Sequence, residues 1–272
     1  ADLEFGKHLE NVELRAHLSA QLNETSKLCQ WHVPESHYLE AWGDIRAFDG
    51  TASVIQPLIE PLNRSKTASE VVASLLGESS ISSYDLVRRH WQGAGVAADF
   101  ERWWRQTVHD GVVEGSFFPE RQLSLNPDGV LGGWNNSGAS DATGLELILR
   151  PDPSILDGRF GNNGWLQELP KPLTKLTWDN AALISPATAE KLNLANEQIV
   201  ELGYQGATVR APVWIQPGHP SDAVTLHFGY GGNREGRVAK GRGFNAYPLR
   251  LSNAAWGGPG LTVTPTSEQY PL

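Results

Sequence analysis

Apolar and polar residues follow two different rhythms along this chain. Between residues 65 and 111 the rhythm is helical. Val71, Val72, Leu75 and Leu76 recur at the spacing of one helix face. Thr67 or Ser65 can cap that helix, Glu70 sits in its first turn, and Gly77 stands where a helix end favours glycine. A second helix is expected from Ser82 or Ser83 to Trp91. A third runs from Ala97 to His109, with Phe100, Trp103, Trp104 and Val108 on one face and Gly111 behind it. From residue 145 the rhythm shortens to that of strands. "LELILR" (145–150), "EQIVELGY", "ATVRAPVWI" and "DAVTLHFGY" are β-rich runs, the last three divided by Gly or Pro turns, and "SPATAEKLNL" (185–194) reads as one short capped helix. The last hundred residues therefore predict an all-β unit with one small helix, in barrel form.

Other stretches are less regular. Val12, Leu14 and Ala16 alternate as in a strand, followed by polar loop to residue 30. Residues 31–50 show no clean period and predict an irregular, packed segment. "ASVIQPLIEPL" (52–62) carries two prolines, which argue against a central strand or a helix interior. Residues 112–143, rich in Gly, Asn, Ser and Asp, predict a long loop or a domain boundary.

Composition narrows the function classes. The 272 residues carry a net charge of −9, so there is no excess of Lys and Arg to displace counterions from a nucleic acid. Gly (28) and Pro (17) exceed their usual combined share of ~12%, which fits many turns rather than a helical bundle. The single cysteine, Cys29, excludes an internal disulfide and any four-cysteine iron–sulfur or zinc site in these residues. No run approaches the ~20 apolar residues of a membrane-spanning helix, and no secretory signal opens the chain. With no methionine and a start at Ala1-Asp2-Leu3, a processed chain or an excised fragment is expected.

Several motifs can be weighed on their physics. "GRGFNA" (241–246) has dinucleotide-fingerprint spacing, but Tyr247-Pro248 follow at once and would break the helix such a site requires. "GNREGR" (232–237) has glycine spacing near that of a phosphate loop, yet Arg237-Val238 stands where Lys-Ser/Thr is needed. Cys29, His32, His37 and Glu40 are the densest group of potential metal ligands, although a packed aromatic segment with a small thiol and hydrogen-bonded imidazoles explains them as well. His109 at a helix end, His219 in a turn and His227 in a strand need no catalytic role. The ten tryptophans are expected mostly in core positions; displayed together on the surface they would instead suit a carbohydrate-binding module. Asn23, Asn63 and Asn135 head Asn-x-Ser/Thr triplets, which matter only in a eukaryotic secretory protein.

Two blocks carry a family resemblance. "ETSKLCQWHVPESHYLEAWGDIRAFDGTASVIQPLIEPL" (24–62) resembles the segment of molybdopterin oxidoreductases in which a Thr-Glu-Thr-like loop leads to an apolar strand. The tail from Leu145, with "LRPDPSILDGRFGNNGWLQELPKPLTKLTWDNAALISPATAEKLNL", "VELGYQGATVRAPVWIQPGHPSDAVTLHFGYG" and "GRGFNAYPLR", is similar to that family's C-terminal dinucleotide-binding domain. The likeness covers most of the chain and is weakest over 112–143. "WHVPESHYLEAWGD" and "APVWIQPGHPSDAVTLHFGYG" look most like one branch, the large iron–sulfur subunit of bacterial alternative complex III.

The resemblance implies an α+β architecture. Residues 1–143 would be the α/β and helical part of the core, and 144–272 a double-psi β-barrel of molybdopterin dinucleotide-binding type. It implies a non-catalytic structural portion of a molybdopterin oxidoreductase-like subunit in a membrane-associated quinol-oxidising electron-transport complex. No catalytic residue and no metal ligand carries over. Iron–sulfur clusters would lie elsewhere in the full polypeptide, and no cofactor would be held here. The partners implied are that iron–sulfur region and other subunits of the complex, without nucleic acid or a direct membrane span, on the periplasmic side of the bacterial inner membrane. In the alternative, a segment of an active enzyme, molybdopterin guanine dinucleotide would be held by loop residues Arg150, Asn162, Asn163, Asn245 and Arg250, which otherwise supply turn geometry and charge.

Overall fold

A computed structural model describes residues 2–136, 144–232 and 236–272. In chain order the elements are α1 (Phe5–Leu9), β1 (Ala16–Ser19), α2 (Glu24–Lys27), β2 (Trp31–Pro34), β3 (Gly43–Arg46), β4 (Ala52–Ile55), α3 (Ala68–Leu75), α4 (Ser83–Gly93), α5 (Phe100–Asp110), β5 (Val112–Val113), α6 (Pro127–Asn136), β6 (Leu145–Arg150), α7 (Gly164–Glu168), β7 (Ala182–Ile184), α8 (Pro186–Leu192), β8 (Gln198–Tyr204), β9 (Ala207–Ile215), β10 (Ala223–His227) and β11 (Gly257–Gln269). They form two compact units. One gathers Ala1–Glu13, Asn23–Leu28 and Gly132–Leu272, the other Leu14–Leu22 and Cys29–Leu131. The boundary expected at 143/144 adjoins residues 137–143, which lie outside the described residues.

The unit containing residues 29–131 holds the helices. Thr67 caps α3 in a capping box: its hydroxyl accepts from the Glu70 amide, and the Glu70 carboxylate accepts from the Thr67 amide at 2.9 Å. Ser82 caps α4 and Asp99 caps α5, which ends on Gly111 at φ +73°. The helical rhythm is thus realised, with ends set by the capping residues. Trp91, Trp104, Ala52, Val54 and Val113 form the core, with Trp42, Tyr84, Val87, Phe100 and Trp103 packed on it.

Three expectations are corrected in this unit. Residues 31–50 are not wholly irregular but supply β2 and β3. The Pro-containing stretch does supply a central strand. β4 stops at Ile55, before Pro57, so all four of its residues remain free to pair with β3 and β5. Residues 112–143 are not all loop, because α6 starts with Pro at its first position, where a missing amide costs nothing. The tryptophans divide between core and surface, with Trp42, Trp103 and Trp214 packed against core clusters. Among the described ones only Trp91 and Trp104 are buried, while Trp31, Trp165 and Trp256 are exposed.

The other unit is built on a closed six-stranded barrel in the order β10-β6-β11-β8-β9-β7. β10 runs parallel to β6 and β7 parallel to β9, and the remaining pairs are antiparallel. Its interior is packed with Leu147, Leu149, Ile184, Val200, Leu202, Val213, Val224, Leu226 and Leu249. The β-rich runs read from the sequence are four of its strands. β11, "GGPGLTVTPTSEQ", is not among those runs. It nevertheless spans the gap between β6 and β8, with register shifts beside Pro259 and Pro265 that absorb residues unable to donate to the ladder. Gly257, at φ +94°, is required where it stands: a Cβ there would overlap the Leu147 carbonyl.

Leu226 is fully buried in the barrel, whereas Thr67 only caps a helix. Chemical denaturation should show a loss of about 3 kcal/mol for Leu226→Ala, from transfer and cavity terms together. For Thr67→Ala the expected loss is about 1 kcal/mol.

Candidate functional site

β6 and β10 are parallel and in register, with Arg150 opposite His227. The chain therefore leaves both strands at the same end of the barrel. A third segment joins them there. The ring of Tyr247, in a 3₁₀ turn over Tyr247–Leu249, stacks on Phe228 with centroids 4.6 Å apart, and its hydroxyl donates to the Asp157 carbonyl at 2.9 Å. This turn follows "GRGFNA" directly, so no helix N-terminus forms behind those glycines and a dinucleotide fingerprint is excluded there.

Beneath this rim lies a buried polar network. Asp152 is fully buried; its Oδ1 accepts from the amides of Ser154 and Ile155, at 2.9 and 3.1 Å. Its Oδ2 has no hydrogen-bond partner among the described residues and sits 3.7 Å from Lys171 Nζ. Lys171 Nζ donates to the Asp179 carbonyl at 2.8 Å and to the Tyr230 hydroxyl at 2.9 Å. Burial pushes the Lys171 ammonium below its ordinary pKa, opposed by the carboxylates of Asp152 and Asp179. Burial likewise holds the Tyr230 phenol far above the usual range. Asp179 is raised by burial, and Tyr270, which donates to its Oδ2 at 2.6 Å, is pushed up to about 12.

Asn180 clamps the adjoining loop. Its Oδ1 accepts from the Phe244 amide at 2.9 Å, and its Nδ2 donates to the carbonyls of His227 and Phe244 at 3.0 and 3.1 Å. His219 is held in one tautomer: Nδ1 donates to the Pro220 carbonyl at 3.0 Å, leaving Nε2 to accept from Thr225 Oγ1 at 2.8 Å. Burial lowers the pKa of His219 and, more deeply in the barrel wall, of His227.

The five loop residues singled out from the sequence all fall in this unit, but four are already engaged. Asn162 Oδ1 accepts from the Ala239 amide at 3.2 Å. Asn163 caps α7, accepting from the amides of Trp165 and Leu166. Asn245 Oδ1 accepts from the Tyr247 amide at 3.0 Å, closing a turn. Arg250 lies over two rings, 5.4 Å from the centroids of both Phe228 and Trp256. Its pocket of about 340 Å³ is also lined by Asp2, whose carboxylate is held by the Ser252 hydroxyl at 2.6 Å. Arg150, the last residue of β6, is exposed and has no ion-pair partner among the described residues.

This set of side chains does not fit a pyrophosphate-linked guanine dinucleotide. Such a ligand needs positive potential for its phosphates and free acceptors for its guanine N–H groups, whereas here Oδ1 of Asn162, Asn163 and Asn245 already accepts from backbone amides and a carboxylate shares the Arg250 pocket.

The other candidates are held in local bonds of their own. His32 Nε2 bonds Ser19, at 3.1 Å to Oγ and 3.0 Å to the carbonyl, and Glu40 accepts from the amides of His37 and Leu62. Among the described residues no group of three or more His, Cys, Asp and Glu is placed to hold a metal ion. His109 bonds its neighbour Asp110. Asn23 caps α2. Residues 233–235 of "GNREGR" lie outside the described residues.

Sequence reasoning missed Asp152, Lys171, Asp179, Asn180 and Tyr230. The one local signal is that Asp152 and Lys171 each stand between two prolines, at 151 and 153 and at 170 and 172, which fixes the backbone around a charge. Removing only one charge of this pair strands the other. Lys171→Met should cost about 3 kcal/mol in denaturation, and Asp152→Asn in the same chain should recover part of it. His227 binds its proton less readily folded than unfolded, so its contribution to stability falls as pH drops below about 6.5, the unperturbed value. His227→Gln should flatten the stability–pH curve on that acid side.

No family model matches the chain. It is 26% identical over 290 aligned positions to the "menaquinone reductase, molybdopterin-binding-like subunit" of Nitratidesulfovibrio vulgaris, covering 95% of this chain and 39% of that protein. Acetylene hydratase from Pelobacter acetylenicus has a similar fold, with a TM-score of 0.62 at 13% identity, covering 95% of this chain and 41% of that one. The chain thus spans about two fifths of the length of each. It is a mixed α/β chain with a closed six-stranded barrel, similar to the fold of a molybdopterin enzyme. The chain is thus similar in sequence to a protein named as a molybdopterin-binding-like subunit and in fold to acetylene hydratase.

Proposed function

We propose that this chain is a non-catalytic portion of a molybdopterin oxidoreductase-like subunit, in which the barrel keeps the framework of a cofactor domain and serves as a structural support. The observation that carries this reading is the engagement of Asn162, Asn163 and Asn245 in the protein's own loops, with Asp2 lining the Arg250 pocket. The barrel is taken to be of double-psi type, and redox centres would lie elsewhere in the full polypeptide. The relative named as a menaquinone reductase subunit supports a place in quinone-linked electron transport. The alternative complex III branch, attachment to a membrane through partner subunits and a periplasmic position extend that reading. No helix among the described residues is long and apolar enough to cross a membrane, so in this proposal attachment runs through partners.

The second reading is a cofactor-binding segment of an active enzyme. It is favoured by Arg150, whose exposed guanidinium could meet a phosphate.

Metal and pterin analysis of the purified full-length protein separates the two. The structural reading expects molybdenum far below one atom per chain and no fluorescent pterin after acid oxidation. Stoichiometric molybdenum, lost on Arg150→Gln, would establish the second reading instead.

A further inference from the structure

A groove in the helical unit has a composition that the proposed function does not use. It encloses about 350 Å³, within the size range of small-ligand sites. Its walls come from the turn after β2 (Glu35, Tyr38), from β3 and the residue before it (Trp42, Asp44), and from the starts of α3 and α4.

Its chemistry is one-sided. No Lys or Arg lines it, while two carboxylates do. Glu35 makes no side-chain hydrogen bond among the described residues; it interacts electrostatically with the imidazole of His17, whose pKa is lowered by burial, so no Lys or Arg answers it. Asp44 accepts one bond, from Trp91 Nε1 to Oδ2 at 2.9 Å, and has no cation beside it. The basic residues close by are committed elsewhere. Lys66, the bridge partner of Glu35, pairs with Glu70 at 3.1 Å; Arg89 pairs with Glu78 at 2.5 Å, and Arg88 with Glu101. The aromatic walls match this charge. Tyr38 is 63% exposed; the His37 imidazole, also in the groove wall, packs against its ring with centroids 4.3 Å apart, and the rest of the ring is open to a ligand. Trp42 is half-buried, packed on Tyr84 with centroids 4.9 Å apart, and so held in a fixed orientation.

Two carboxylates with no Lys or Arg partner, set beside two aromatic rings in a cavity of this size, favour a soft organic cation. Such a cation gains from ring quadrupoles and from formal charge while giving up little hydration. A phosphate or carboxylate would be repelled, and a neutral molecule would leave both charges unanswered. We propose that the groove framed by Glu35, Tyr38, Trp42 and Asp44 binds a small organic ammonium group. The proposal is independent of whether the barrel holds a cofactor.

The test is saturation-transfer NMR on the full-length protein, with choline against its neutral isostere 3,3-dimethylbutan-1-ol. Choline should bind with Kd on the order of millimolar, at least about tenfold more tightly than the isostere, and more weakly as salt is raised. Glu35→Gln and Asp44→Asn, which keep shape and hydrogen-bonding capacity, should each weaken choline by about threefold to tenfold, and Tyr38→Ala by a similar factor. Circular dichroism confirms that each variant is folded. Equal binding of choline and the isostere overturns the proposal. So does choline binding unchanged in the folded Glu35→Gln/Asp44→Asn double variant, or no choline signal in the parent protein.

Discussion

Closure of the barrel is the constraint on which the unit containing residues 144–272 rests. A strand inside a sheet must satisfy its backbone groups on both edges, and a closed sheet leaves no edge unpaired. Here closure depends on two dissimilar strands. β7 has only three residues, all buried, and joins β10 to β9; β11 has thirteen and joins β6 to β8. Without either, the apolar side chains of β6, β8, β9 and β10 would line an open sheet rather than fill an interior. The parallel pairing of β6 with β10 then delivers two chain segments to one rim, which is how loops distant in sequence come together.

That rim is secured by polar rather than apolar contacts. Lys171 reaches a carbonyl and a phenol, Asp152 takes two backbone amides, and Asn180 binds both the Phe244 loop and the end of β10. Buried polar groups of this kind cost free energy unless paired, so they favour one arrangement of the loops over others. The same economy explains the asparagines. A side-chain oxygen that already accepts from backbone amides has little left to offer a ligand's donors. A barrel whose loop oxygens bind its own backbone is consistent with the supporting role proposed above.

Much of the regular structure was legible locally. The cap and stop residues of α3, α4 and α5 placed those helices, because a cap acts through bonds within four residues. The β-rich runs of β6, β8, β9 and β10 placed those strands, because β-branched and apolar residues between Gly or Pro turns suit a packed strand whether it alternates, as β6 does, or is buried almost throughout, as β10 is. β11 and β4 were illegible for a shared reason. Proline argues against a ladder in general, yet what matters is which amides face a partner, and register alone decides that. The exposure of Trp31, Trp165 and Trp256 was equally hidden, since a large apolar side chain does not announce which side of an element it will occupy.

For the site, the sequence by itself determined that polar, turn-forming residues such as Asn162, Asn163 and Asn245 would sit in loops of a β-rich unit, because those preferences belong to the residue and its immediate neighbours. Asn163 and Asn245 bind amides two or three residues on, whereas tertiary structure alone decided the contacts between remote residues, such as Asn162 with Ala239. It set Lys171 against Asp152 and Tyr230 across separations of 19 and 59 residues, and it placed Arg250 over Phe228 and Trp256. A hydrogen bond or a ring contact depends on distances of a few ångströms, and such distances between remote residues exist only once the barrel has closed.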